Sequence, residues 1–223
     1  MRRWEIICIT LIFLIAATVF TSCEEEDESP TKPRIPNVIC PLSVGNYWTY
    51  IDSVFLEGIT TVSESRIDVT GDTVITYEDE DYHVYYWTWY LPAPCHWLVQ
   101  NGEEGLWTLG TASDSDTLYY RTLFAKYPVS SGEVWEKSFY TCWIYGEIVL
   151  VGSINAECIS VDYTYETPLG TFKCICCHEQ YYFNQTLMDF YYYFVPRIGL
   201  VSALGYSDGV YTSKKVLTGY NLE

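Results

Sequence analysis

The sequence predicts a mainly β protein: a single domain of long antiparallel strands, arranged as a half-barrel or a sandwich, with little helix. Three observations lead there. From Leu42 onward the chain is dense in β-branched and aromatic residues, and the whole sequence holds 22 tyrosines and 8 tryptophans. Such side chains fit a pleated, half-buried surface. Clusters of Gly, Pro and Asp separate these runs at short intervals, as turns between strands require. No segment repeats its apolar residues at the 3.6-residue spacing of an amphipathic helix.

The chain begins with a different kind of segment. Arg2 and Arg3 precede an apolar run from Ile6 to Phe20, and Phe20-Thr21-Ser22-Cys23 ends it in small residues before a cysteine. A charged start, an apolar centre and small residues at the cut describe a secretory signal peptide. The cysteine makes the cut similar to a bacterial lipobox. Residues 1–22 are therefore expected to be removed, with Cys23 diacylated and holding the protein on a membrane. The alternative, an uncleaved anchor, would span a bilayer with fewer than the about 20 apolar residues it needs.

Residues 23–41 read as a tether. Glu24-Glu25-Glu26-Asp27-Glu28 repel one another, and Pro30, Pro33 and Pro36 stiffen the stretch after them, so an extended spacer is expected. The acidic run after the cysteine also resembles the surface-export signal of lipoproteins of the Bacteroidetes. That resemblance implies a bacterial outer-membrane protein exposed on the cell surface.

Residues 42–223 form the predicted β domain. Tyr47–Ile51 opens it. Arg66–Thr70 and Thr73–Tyr77 flank Gly71-Asp72, which reads as a tight hairpin turn. Tyr82–Tyr90 is a strand stopped by Pro92 and Pro94, and shorter strands lie around Leu106–Leu109 and Leu118–Arg121. Ile159, Val161, Tyr163 and Tyr165 alternate with Ser160, Asp162, Thr164 and Glu166, the period-two signature of a half-buried strand. Thr167-Pro168-Leu169-Gly170 turns that strand into Thr171–Tyr182. With Thr167 facing Gly170, Cys174 falls opposite Tyr163. Strands near Phe190–Val195 and Val210–Leu217 close the chain.

Charge narrows the partners. A net charge of −17 argues against nucleic acid and against anionic lipid head groups, which recruit basic patches. Removing residues 1–22 leaves about 200 residues, enough to bury roughly 70% of the unfolded surface in one core.

Nine cysteines are present. Cys8 leaves with the signal and Cys23 takes the lipid. Cys40, Cys95, Cys142, Cys158, Cys174, Cys176 and Cys177 remain as disulfide candidates in an oxidising compartment. Their number is odd, so one thiol at least stays out of an intrachain bond. Long-range pairings are expected, with one of the adjacent Cys176 and Cys177 buried and the other exposed or bridged elsewhere. Cys174, Cys176 and His178 share a strand face and form a weak metal candidate of the zinc or copper(I) type. No second ligand pair accompanies them, and no cofactor is expected.

A set of motifs runs through the domain: Gly45-Asn46-Tyr47-Trp48, Gly71-Asp72-Thr73-Val74-Ile75, Gly132-Glu133-Val134-Trp135, Pro168-Leu169-Gly170-Thr171-Phe172-Lys173-Cys174 and Pro196-Arg197-Ile198-Gly199-Leu200-Val201. In this order they resemble a family of uncharacterised bacterial secreted proteins and lipoproteins. The resemblance implies long antiparallel strands, and an unclosed barrel similar to lipoprotein carriers of the LolA and LolB type. It supplies no catalytic residues.

Other constellations are weaker. Glu78-Asp79-Glu80-Asp81 and Asp114-Ser115-Asp116 lack the glycine-pivoted loop of a calcium site and read as solvated charge. His83 and His96 are isolated in the sequence. Trp87, Trp89, Trp97, Trp107 and Tyr191–Tyr193 could stack on a glycan, line an apolar cavity or simply fill a β core. No nucleophile elbow, metalloprotease helix or phosphate-binding glycine loop occurs. The expected function is therefore a lipid-anchored envelope protein that binds or scaffolds without catalysis. A carrier of a lipid or other apolar ligand and a glycan-active envelope enzyme are the alternatives. An apolar concavity would favour the carrier, and two facing carboxylates in a cleft the enzyme.

Overall fold

The computed structural model describes residues 38–223 apart from 91–93, 114–116, 145–146 and 184. The signal segment, Cys23, the acidic run, Asp114–Asp116, Asn184 and the side chain of Cys142 lie outside the described residues.

Twelve strands follow one another: β1 (Tyr47–Leu56), β2 (Ile59–Tyr77), β3 (Glu80–Tyr90), β4 (Pro94–Gly102), β5 (Gly105–Ala112), β6 (Thr117–Lys126), β7 (Val134–Ile144), β8 (Glu147–Thr167), β9 (Gly170–Phe183), β10 (Thr186–Val195), β11 (Gly199–Ser207) and β12 (Val210–Asn221). All are antiparallel in one sheet of order β6-β5-β4-β3-β2-β1-β12-β11-β10-β9-β8-β7. The sheet curls into a nearly closed barrel whose two free edges, β6 and β7, are neighbours in sequence. The expectation of an all-β domain with long antiparallel strands is met, in the barrel form rather than the sandwich.

Tight turns explain the meander. Glu57-Gly58, Glu78-Asp79 and Asp208-Gly209 each take positive φ at both positions, between directly paired Leu56/Ile59, Tyr77/Glu80 and Ser207/Val210. Two-residue loops with both residues left-handed match the twist of the flanking strands. The acidic run Glu78–Asp81 is thus a hairpin corner, with Thr76 donating to Asp81 at 2.7 Å and Tyr82 to Glu80 at 2.5 Å.

Three sequence expectations need correction. Gly71-Asp72 is no turn: β2 runs through it, and the register to β3 shifts between Val69 and Asp72. Gly71 does not take the positive φ of the turn glycines, and the one extra residue on β2 is absorbed as a bulge. Strands β4, β7 and β11 also went unread. β4 starts on Pro94, where a missing N–H is tolerated at a strand's first residue, and β11 is built largely from small residues. Finally, Ile159, Val161 and Tyr163 are 43%, 47% and 42% exposed. Past Glu157 β8 has no β7 partner, and the bulges around Ser160 break the alternation, so these side chains meet solvent. Alternation gave the strand correctly, but not the burial of its face.

The turn at Pro168-Leu169 is as expected, with Thr167 opposite Gly170 and Cys174 opposite Tyr163. Further down, bulges between Tyr163 and Ser160 and between Ser160 and Cys158 slide the register by two residues. Cys158 therefore faces Cys177.

Residues of the first and last motifs meet at one end of the barrel. Trp48 Nε1 donates to the Ile198 carbonyl at 2.5 Å, and the Tyr50 hydroxyl to that of Leu200 at 3.0 Å. Fully buried Asn46 donates to the Pro41 carbonyl and accepts from the Glu223 N–H. The Arg197 N–H reaches the Val38 carbonyl, and Ile39 and Cys40 are buried beneath. These residues tie the strand ends of β1, β11 and β12 together, a structural duty.

Candidate functional site: an aromatic cavity inside the barrel

Alternation sends one row of large rings from each of several strands into the barrel. From β3 come Trp87 and Trp89, from β4 Trp97, from β6 Phe124, and from β10 Tyr192 and Phe194. Trp87 sits edge-on to Trp48 at 6.1 Å and to Trp97 at 6.3 Å between ring centroids; Trp89 stacks on Trp97 at 5.8 Å. Phe124 carries the contact across the open side of the sheet, reaching Tyr192 at 6.2 Å and Phe194 at 6.1 Å. Edge-to-face pairs of this kind add about 0.5–1.5 kcal/mol each beyond the area they bury.

The rings do not fill the interior. Between them lies a cavity of about 400 Å³ walled by Trp87, Trp89, Trp97, Phe124, Tyr192 and Leu200, within the size range of small-molecule pockets. Its polar wall comes from β1 and β12. Lys215 Nζ bonds Asp52 at 2.7 Å and Ser65 at 2.8 Å, and lies 4.7 Å from the Trp89 ring and 4.8 Å from the Tyr50 ring. Burial lowers the Lys215 pKa from the usual lysine value, and the Asp52 hydrogen bond works against that shift.

Two further groups lie behind the aromatic lining. The indole N–H groups of Trp87 and Trp89 are buried and find no acceptor in the protein. An unsatisfied buried donor costs about 1–3 kcal/mol, and such groups ask for a reason. Each belongs to a residue that lines the cavity, but the nitrogens themselves present no surface to it. Asp52 is the one carboxylate among the cavity-lining residues, and Lys215 already holds it.

A second charged pair lies deeper. Lys137 of β7 and Glu179 of β9 bond each other while nearly fully buried, and Lys137 Nζ lies 4.4 Å from the Phe124 ring centroid.

The structure distributes the sequence candidates unevenly. Trp87, Trp89, Trp97 and Tyr192 converge on the cavity. Trp107 packs outside it against Ile75, Val84, Leu98 and Leu109. Tyr193 turns to the outer face, with Tyr165 and Tyr163 at 4.4 and 5.1 Å. That tyrosine layer corrects the expectation for the adjacent cysteines: Cys176 points outward beneath it and Cys177 inward, and both are buried. Cys174 and Cys176 do share a face with His178, but His178 stacks on Tyr191 and bonds Asp189 at 3.1 Å. Among the described residues no three His, Cys, Asp or Glu side chains are placed to hold a metal ion. His83 bonds Asp72, and His96 bonds Thr88. Cys40, Cys158, Cys174, Cys176 and Cys177 are buried thiols; burial pushes the pKa of Cys174 and of Cys176 up to about 11. Phe124, Asp52 and Lys215 were missed, since nothing in their local sequence marks them.

No protein-family model matches the chain, and no curated protein does. Among solved structures, a candidate lipoprotein from Parabacteroides distasonis superposes with a TM-score of 0.52 at 15% identity, over 83% of this chain and 99% of that one. A candidate exported protein with a YmcC-like fold from Bacteroides fragilis gives a TM-score of 0.41, also at 15% identity, over 81% and 97%. The first likeness shows a shared fold.

Proposed function

We propose that the protein is a lipoprotein of the bacterial outer membrane, anchored through Cys23, that binds an apolar ligand and performs no chemistry on it. The observation that carries this reading is the aromatic cavity itself, with a largely apolar lining closed on one side by the Lys215–Asp52 pair. A barrel serving only as scaffold has no need of the space, and its core would gain by filling it. Facing carboxylates for glycan cleavage find no support in a wall whose one carboxylate is paired with a lysine. The anchor rests on the signal segment, and the P. distasonis neighbour, itself a candidate lipoprotein, fits the same location.

The test is direct. The mature protein, incubated with a native lipid extract and recovered, should carry a bound lipid identifiable by mass spectrometry. Ala203→Trp, which fills the cavity, should weaken its binding at least tenfold. Undiminished binding by folded Ala203→Trp would refute the cavity.

The anchor is tested separately. Cys23→Ala should abolish incorporation of a labelled fatty acid and leave an uncleaved precursor. Equal label in both proteins would remove the lipobox.

A further inference from the structure

Cys158 and Cys177 occupy directly opposed positions on β8 and β9, and both side chains are buried, at 0% and 2% exposure. Opposed residues of an antiparallel pair point to the same face, so the two thiols project together into the interior. Their separation is set by where the backbone bonds of Cys158 go. Its N–H donates to the Glu133 carbonyl at 2.9 Å, and its carbonyl accepts from the Gly132 N–H at 2.7 Å. Both groups therefore point away from β9, toward the segment leading into β7. Toward β9, Cys158 and Cys177 form a non-hydrogen-bonded pair, the closer of the two kinds, with Cα atoms about 4.5 Å apart. That lies inside the range a disulfide spans, about 4.4–6.8 Å.

The other cysteines are placed differently. Cys174 lies opposite Tyr163, and Cys176 opposite Ser160 and Tyr193. Neither has a cysteine across from it. Cys40 sits against Gly199, at the start of β11.

We propose that Cys158 and Cys177 form a cross-strand disulfide in the exported protein. The reaction is an exchange with a donor disulfide of an envelope thiol oxidase. One thiolate attacks a donor sulfur and expels the other as a thiolate, giving a mixed disulfide. The second cysteine thiolate then displaces the remaining donor sulfur. The pair loses two electrons and two protons, and the donor leaves as a dithiol. Buried thiols are poor nucleophiles, so the exchange precedes the packing of the tyrosine layer and the barrel interior. The bond covalently fixes the bulged register that sequence alternation alone would place two residues away.

Peptide mapping of the full chain, exported by its own leader and alkylated without reduction, decides this. Cleavage after Lys and Glu places Cys158 alone in residues 158–166 and Cys174, Cys176 and Cys177 in residues 174–179. A linked mass of these two peptides that collapses to the separate peptides on reduction is expected. It should persist in the Cys174→Ser/Cys176→Ser double variant and vanish in Cys177→Ser. Absence of the link from the wild type, its survival in Cys177→Ser, or its loss in the double variant while Cys158 pairs elsewhere would each overturn the assignment.

Discussion

Lys137→Met should destabilise the protein by about 3–5 kcal/mol, the cost of leaving the buried Glu179 carboxylate without its partner. Both members of the pair are nearly fully buried, so water cannot replace the lost ammonium. The same geometry predicts a rescue. Lys137→Met combined with Glu179→Leu removes both charges, and replacing a buried ion pair with apolar groups of similar volume is commonly neutral or stabilising. The neighbours, Phe124 and Tyr192, already suit an apolar substitute. Urea unfolding midpoints of the two variants provide the measurement. A double variant as unstable as the single one would show that the charges themselves, or their hydrogen bond, carry the local packing.

Gly105→Ala should cost about 3 kcal/mol or more. The residue takes φ of +135°, and a Cβ built there would lie 2.1 Å from the Ala125 carbonyl oxygen and 2.7 Å from the Tyr127 nitrogen. Both obstacles are backbone, and the second is fixed by its bond to the Glu104 carbonyl at 2.8 Å. Overpacking typically costs about 1–3 kcal/mol even where side chains can give way, and the positive φ adds to it. Gly58→Ala is the control: its φ is +80°, yet an added Cβ meets nothing within 4 Å. That variant should lose only the conformational part, about 1–2 kcal/mol. Equal thermal shifts for the two would disprove the steric account.

Much of this architecture is legible from the residues. Period-two runs and β-formers mark most strands, and Pro168-Leu169 fixes one hairpin to the residue, as the pairing of Cys174 with Tyr163 shows. Legibility fails where local chemistry admits two outcomes. Gly71-Asp72 is as good a hairpin turn as Asp208-Gly209; only the ladder to β3, which resumes at Asp72, decides between bulge and turn. The bulges above Cys158 have no local signal, so the facing of Cys158 and Cys177 could not be deduced. The cavity is harder still. Trp87, Trp89 and Trp97 announce an aromatic interior, but whether rings fill a barrel or line a space depends on its circumference, which no single strand encodes. Phe124 and Tyr192 touch only because the sheet curls until β6 approaches β10.

The strand order sets how the chain must find this shape. Every ladder but one joins strands consecutive in sequence; the exception pairs β1 with β12, bringing Tyr47 opposite Asn221. β1–β6 and β7–β12 are thus two local meanders, each able to zip from its own hairpins. Local contacts form fast, while a contact spanning nearly the whole chain must first meet the entropy of closing that loop. The search for the native state narrows to one encounter, between the first strand and the last. The C-terminal strand is consequently the keystone: until β12 has been synthesised, the two halves have no main-chain means of becoming one sheet.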